Sequence, residues 1–573
     1  MDLLVPAVLA VLVIVAVTSW APRVGVAAPL LLVLIGVGVS VLPVVPAIEV
    51  SPEWVLGVVL PPLLYSSATT MPTMDFRRDF RTISAFSVVL VVVSAVVVGV
   101  VLDHLLPDIG LATGIAIGAI VSPTDAVATS IVRKAGVSPR IVTVLEGESL
   151  LNDASALVLL RSAIVATAGT VSLWGVAGDF VFAVVVAVAV GYVVGRLHVW
   201  ARGRLTQTTS NVAISFVVPF VAFLPAEHLG ASGLVAAVTA GLVTGHAAPR
   251  ALRARDRMTE HAVWRTIELL LEGAVFLLMG LEVVALVQDV QDAHGSVAVA
   301  LGLGALTATL VVAVRSVFVG WSVWELGRRA ARDPQVRDWL EDAQARLDAG
   351  RPVDPPHGPR RRRTSAAGTA EVGRRVRRRI ADIDYLTAER FGAREGVVLV
   401  WAGMRGVVTL AAAQSLPSDT PQRSLLVLVA FVVAAGTLLV QGATLPWVTR
   451  RLGLTGREED DADALAALRV ELHRAALERL EDPALRQPDG TPYPAAVVER
   501  ERARVAELDV SAEEDAEMHA RDRAADLRLR VQVLTTQRDE LLHLRDLGTF
   551  PSSTLDRALA ELDAVQVGIE LTT

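Results

Sequence analysis

The chain has 573 residues, 53% of them hydrophobic, and a mean hydropathy of +0.52. Several apolar runs reach the ~20 residues that cross ~30 Å of hydrocarbon, which excludes a water-soluble globular protein and points to a polytopic membrane protein. Cysteine is absent, so disulfides, thiolate nucleophiles and cysteine metal sites are excluded, and the net charge of −7 merges an acidic tail with basic loops in which Lys134 is the only lysine.

The first run, LLVPAVLAVLVIVAVTSW, follows Met1-Asp2 without a basic leader or small-residue cleavage site and reads as a retained span. Thirteen spans are expected, near 3–20, 24–45, 53–70, 82–102, 110–132, 141–168, 172–196, 208–225, 230–247, 262–286, 296–324, 396–416 and 422–448. The loops test that count, because cytoplasmic loops are enriched in Lys and Arg. MPTMDFRRDFR, VRKAGVSPR, RLHVWARGRL and APRALRARDR are basic, whereas the loops between them, PAIEVSP, HLLPDIG, LPAEHLG and QDVQDAHG, have neither Lys nor Arg. The alternation predicts an outside amino terminus and a cytoplasmic carboxyl terminus, which an odd number of spans requires.

Residues 325–394 interrupt the pattern with PRRRRTSAAG and EVGRRVRRRIAD. The insert reads as a solvated cytoplasmic connection, or as a contact with anionic lipid headgroups at ~1 kcal/mol per basic residue. Residues 1–450 thus form a transmembrane domain, and 455–573 an apolar-periodic, charged cytoplasmic tail of helices that turns at GTFPSS. A packing or dimerising role suits the tail.

Ionisable groups inside a span cost at least ~2.5–3.5 kcal/mol each, so they line a pathway or pair with one another. Span five contains GAIVSPTDAVATS, in which Pro123 removes a helix hydrogen bond two residues before Asp125. Span twelve contains WAGMRGVVTL, in which Gly403 and Gly406 flank Arg405. If spans one to six recur as eight to thirteen, these two interruptions occupy corresponding places, which is where a transporter builds its central site. Arg405 would then compensate the negative ends of broken helices.

Span six carries LEGESLLND. At ~100° per residue, Ser149 and Asp153 share a face, with Asn152 beside them, while Glu148 looks elsewhere and needs a partner such as Arg315 in span eleven. Glu146 returns to the Asp153 face nearer the cytoplasm, either as a cation-attracting entrance or as an interfacial carboxylate without a role. Arg161 is expected to snorkel to the outer interface. Glu268 and Glu272, in IELLLEGAVFLLMG, either pair or face a funnel.

SPTDAVA, LEGESLLNDASALVL, LLLEGAVFLLMGLE, GMRGVVTLAAAQSLP and TLLVQGATLPWV resemble, in the same order, the membrane domain of the monovalent cation:proton antiporter-1 family. These are the sodium/proton exchangers of bacteria and animals. The resemblance implies an all-α membrane fold of thirteen helices with an inverted repeat, crossed discontinuous helices, a homodimer and a bacterial plasma membrane. It also implies that Asp153 carries either H⁺ or a monovalent cation, Na⁺ or else Li⁺ or K⁺, that Asp125, Thr124, Ser149 and Asn152 help hold the cation, and that Glu148 and Arg315 form a structural pair. No enzymatic activity, cofactor or nucleic-acid partner is implied. The chain departs from many relatives in having Ala126 rather than Pro after Asp125, and Ser66 where some carry an acidic residue that serves the cation path.

The chemistry of a buried carboxylate suits exchange, since burial favours its protonated form and a nearby cation its ionised form. Hard cations take oxygen ligands, which Asp, Ser, Asn and freed carbonyls supply. Electroneutral 1:1 exchange is expected, because Asn152 stands where charge-moving relatives often have a second aspartate. A cation channel and an intramembrane aspartyl protease using Asp125 and Asp153 are the rivals; no Gly-x-Gly-Asp precedes either residue.

Overall fold

Lipid offers the backbone no hydrogen-bond partners, so apolar segments of this length close their own bonds as helices. In the computed structural model the described residues are 4–43, 51–167, 173–330, 391–454, 474–487 and 490–503, with shorter pieces between 337 and 387 and between 534 and 569. The chain divides into two compact units, Met1–Gly456 and Arg457–Thr573.

The first unit opens with α1 (Leu4–Val24) and α2 (Ala28–Ser40). A short α3 (Pro52–Trp54) passes through a π-helical turn, Val55–Val59, into α4 (Leu60–Thr70), and α5 (Thr73–Ser84) passes through a second, Ala85–Leu90, into α6 (Val91–Leu105). There follow α7 (Gly110–Val121), α8 (Val127–Lys134), α9 (Pro139–Thr167), α10 (Leu173–Arg202), α11 (Thr208–His228), α12 (Gly233–Ala251), α13 (Ala254–Leu281), α14 (Val283–Asp292) and α15 (Val297–Ala330). The unit closes with α16 (Ala393–Trp401), α17 (Val407–Gln414) and α18 (Arg423–Arg451). Among the described residues, eight helical stretches are long and apolar enough to cross a membrane, α9, α15 and α18 included.

Small residues let these helices approach closely, as is usual where lipid supplies no hydrophobic drive for association. α2 meets α13 at Gly36 and Gly280, where any side chain would strike the facing backbone. One apolar cluster packs around α7, α9, α17 and α18, and a second joins α4, α11 and α12. α9 runs between them, burying Arg140, Glu148, Ser149, Asn152 and Asp153.

The described end of the Arg-rich insert is fastened rather than solvated. Asp382 accepts from Arg77 Nη2 at 3.2 Å and Arg78 Nε at 2.8 Å, and the Arg78 guanidinium lies over the Tyr385 ring. Arg140, paired with Asp79 on α5 at 2.7 Å, reaches the Leu386 carbonyl and covers the Phe391 ring. The PRRRR run of the insert lies outside the described residues.

In the second unit, residues 474–481 and 495–503 are helical, and between them Gln487 N donates to Thr491 O at 2.8 Å. The turn expected at GTFPSS lies outside the described residues.

Candidate functional site

The helix α7 stops at Val121, and α8 starts at Val127. Pro123, which has no N–H to continue the ladder, stands in the non-helical link between them. A second non-helical link, through Gly403 and Gly406, separates α16 from α17. The two links cross, with Asp125 N donating to Met404 O at 2.8 Å.

Each link puts a charge against exposed helix ends. Arg405 Nε donates to Val121 O at 2.9 Å and Nη2 to Ser122 O at 3.3 Å, so its guanidinium serves the carbonyl end of α7; Nη1 turns back to Gly403 O. Asp125 Oδ1 accepts from Val127 N at 2.8 Å, at the amino end of α8. Its other carboxylate oxygen rests against Gly406, at the amino end of α17. Positive charge thus meets a carbonyl end and negative charge two N–H ends, the favourable pairing in both cases.

On α9, Arg315 holds Glu148 with two guanidinium nitrogens, one of them at 2.9 Å from Oε2, and its Nε donates to Leu399 O at 2.9 Å. The network continues inward from this pair. Thr124 Oγ1 donates to Glu148 Oε1 at 3.2 Å and accepts from Asn152 Nδ2 at 2.8 Å. Asn152 therefore sits on the face of Glu148, not beside Ser149 and Asp153 as expected. Four residues of helix leave it roughly 40° from Glu148 and roughly 100° from Asp153.

Ser149 and Asp153 face a cavity of about 290 Å³, whose wall also includes Thr124, Asp125 and Gly406. Ser130, Arg133 and Glu146 also line it, and α13 brings Glu268 and Glu272 to its wall. Glu146 is ion-paired with Arg133 from α8. Beyond Asp153 the path closes, because Ile120, Ala156, Leu157, Leu160 and Val408 pack around a void with no room for water. Asp153 is thus reached from one side.

Other expected positions move. Ser66 is buried outside the cavity wall, its carbonyl accepting from Thr69, and Ser67 and Thr70 line the wall instead. Arg161 does not simply snorkel: its Nη2 lies 2.8 Å from Glu227 Oε2 at the end of α11.

A family model described as sodium/hydrogen exchanger, transmembrane, matches residues 8–332 and 373–451. The chain belongs to the sodium/hydrogen exchanger family. Family members are cation/proton antiporters rather than enzymes. An uncharacterised Na⁺/H⁺ exchanger of Mycobacterium bovis is 30% identical over 460 residues, 79% of this chain and 75% of that protein. A Na⁺/H⁺ antiporter of Aphanothece halophytica is 26% identical, over 79% of this chain and 74% of that one. Among solved structures, the sodium proton antiporter MjNhaP1 of Methanocaldococcus jannaschii shares the fold, with a TM-score of 0.55 over 79% of this chain and 99% of that one at 15% identity.

Within this exchanger-family fold, the structure adds positions that sequence reasoning had passed over. Arg133, Thr129 and Thr409 all line the cavity, and Asp79 anchors Arg140. Thr129 was legible as the residue one turn past Asp125. Arg133 was hidden by its place in a basic loop motif.

Proposed function

We propose that this chain exchanges Na⁺ for H⁺ across a membrane by alternate loading of Asp153. The observation that carries the reading is a buried carboxylate at the closed end of a cavity open on one side only. Membership of the exchanger family supports it. A cation beside such a carboxylate favours the ionised form and burial the protonated one, so the two ions compete for one group. Asp125 and Ser149 lie in the same wall and serve as further oxygen ligands. Thr124 and Asn152, tied to Glu148, steady the site and orient it toward the cation. Glu148 and Arg315 hold the crossing together, and Arg405 balances it.

The packed apolar side chains beyond Asp153 argue for exchange rather than an open channel. In this reading the chain crosses a bacterial plasma membrane thirteen times, with its amino terminus outside, its cavity facing the cytoplasm and its insert against anionic lipid, and it works as a homodimer. Exchange is electroneutral at one Na⁺ per H⁺, so one pH unit sustains about a tenfold Na⁺ gradient.

Proteoliposomes with an internal pH dye, an imposed Na⁺ gradient and a clamped potential test the reading. Wild type is expected to couple Na⁺ to proton movement, and Asp153→Asn to be silent. Coupling that survives in the variant would remove Asp153 from the mechanism, and its absence from wild type would reject exchange.

A further inference from the structure

The two half-helices beyond the breaks begin alike. Thr129 is the third residue of α8 and Thr409 the third of α17. Their N–H groups make matching first-turn bonds, to Ala126 O at 3.0 Å and to Gly406 O at 3.2 Å. Aligned on that register, Asp125 corresponds to Arg405 and Thr129 to Thr409.

In an unbroken helix a threonine hydroxyl commonly donates to the carbonyl four residues back. Here those carbonyls belong to Asp125 and Arg405, in the non-helical links. Neither hydroxyl has a hydrogen-bond partner among the described residues, although the residues are only 3% and 1% exposed. Both residues line the cavity that holds Asp125, Ser149 and Asp153. Thr129 lies one turn from Asp125, and Thr409 lies one turn from Gly406, on which the Asp125 carboxylate rests. A buried hydroxyl left unpaired is unfavourable, because it gives up its bond to water and gains none in return. Two at matching positions in one cavity point to a ligand common to both, and a hydroxyl offers lone pairs of the kind a hard cation takes.

We propose that the hydroxyls of Thr129 and Thr409 are neutral oxygen ligands of the transported monovalent cation, one from each broken helix, completing the shell begun by Asp153 and Asp125. The assignment rests on the exchange reading above. Because the two hydroxyls come from separate half-helices, their spacing sets which alkali cation fits.

The test uses full-length Thr129→Val and Thr409→Val, with Thr→Ser at each position. Valine keeps the shape and removes only an unpaired hydroxyl, so melting temperatures in Na⁺-free buffer are expected to stay at or above wild type. In proteoliposomes each Val variant should raise the apparent KM for Na⁺ about fivefold or more, as loss of one polar contact implies. The Li⁺/Na⁺ preference should change, and Ser should restore wild-type behaviour. In detergent, the rise in melting temperature caused by Na⁺ should shrink in both Val variants.

Unchanged KM and unchanged Na⁺ stabilisation in an exchanging protein would overturn the proposal. So would a fall in Na⁺-free melting temperature with KM intact, which would make the hydroxyls structural. If wild type fails to exchange but is stabilised by Na⁺, and the Val variants lose that stabilisation, the exchange reading fails and the ligand assignment stands.

Discussion

Gly406 illustrates how much of the site depends on a missing side chain. A Cβ there would fall on the Asp125 carboxylate, which has no free direction because its other oxygen already accepts from Val127 N. Alanine is a mild change elsewhere in a helical protein, but here it must displace the carboxylate or part the crossed links. Gly406→Ala is expected to reduce Na⁺-driven proton flux at least tenfold, with the protein still folded. Flux in proteoliposomes, set beside the melting temperature, checks it; wild-type flux would mean that Asp125 has room to move. The neighbouring residues divide by the same local logic. Residues one helical turn apart act together, so Ser149 joins Asp153 in the cavity and Asn152 joins Glu148 in the network.

Among the elements, the half-helices need Arg405 more than any apolar contact. Its guanidinium serves carbonyls of Val121, Ser122 and Gly403, drawn from both links and buried from water. Each buried carbonyl left unpaired costs about 1–3 kcal/mol, so Arg405→Met is expected to destabilise the fold by at least about 3 kcal/mol. Arg405→Lys retains the charge without the fork and should lose less. Denaturation of the purified protein in detergent measures both; equal stability of Met and wild type would show that the end of α7 needs no donor. The two breaks were legible in the sequence because Pro123, Gly403 and Gly406 act on the backbone locally. The Glu148 and Arg315 pairing was legible too, since a buried charge requires an opposite one. Side-chain direction after a π-helical turn was not. Such a turn inserts an extra residue into the ladder, and the one at Val55–Val59 precedes α4, where Ser67 rather than Ser66 lines the cavity. The pairing of Arg133 with Glu146, across the loop from α8 to α9, leaves no mark in helical spacing.

For the whole molecule, alternating access requires the apolar seal beyond Asp153 to open when the cavity closes. The ion pair between Arg161 on α9 and Glu227 on α11 lies past that seal, about 12 Å along α9 from Asp153 at 1.5 Å per residue. Glu227 is itself fixed, since its second oxygen accepts from Gly233 N at 2.9 Å at the start of α12. The pair thereby ties α9, which carries Asp153, to the corner between α11 and α12. The pair is partly exposed, so its worth is on the order of 1 kcal/mol or less. That suffices to shift a balanced two-state equilibrium by up to about fivefold and is too small to lock it. Arg161→Ala is therefore expected to populate the state open on the far side without unfolding the protein. The absence of native cysteine makes this measurable, because Leu160→Cys, placed in the seal, would be the chain's single thiol. Labelling by a membrane-impermeant maleimide added on the far side should quicken severalfold when Arg161→Ala is combined with it. An unchanged labelling rate would mean that the pair joins surfaces that do not separate during transport, and the seal would then have to open by a movement within α9 and α17 alone.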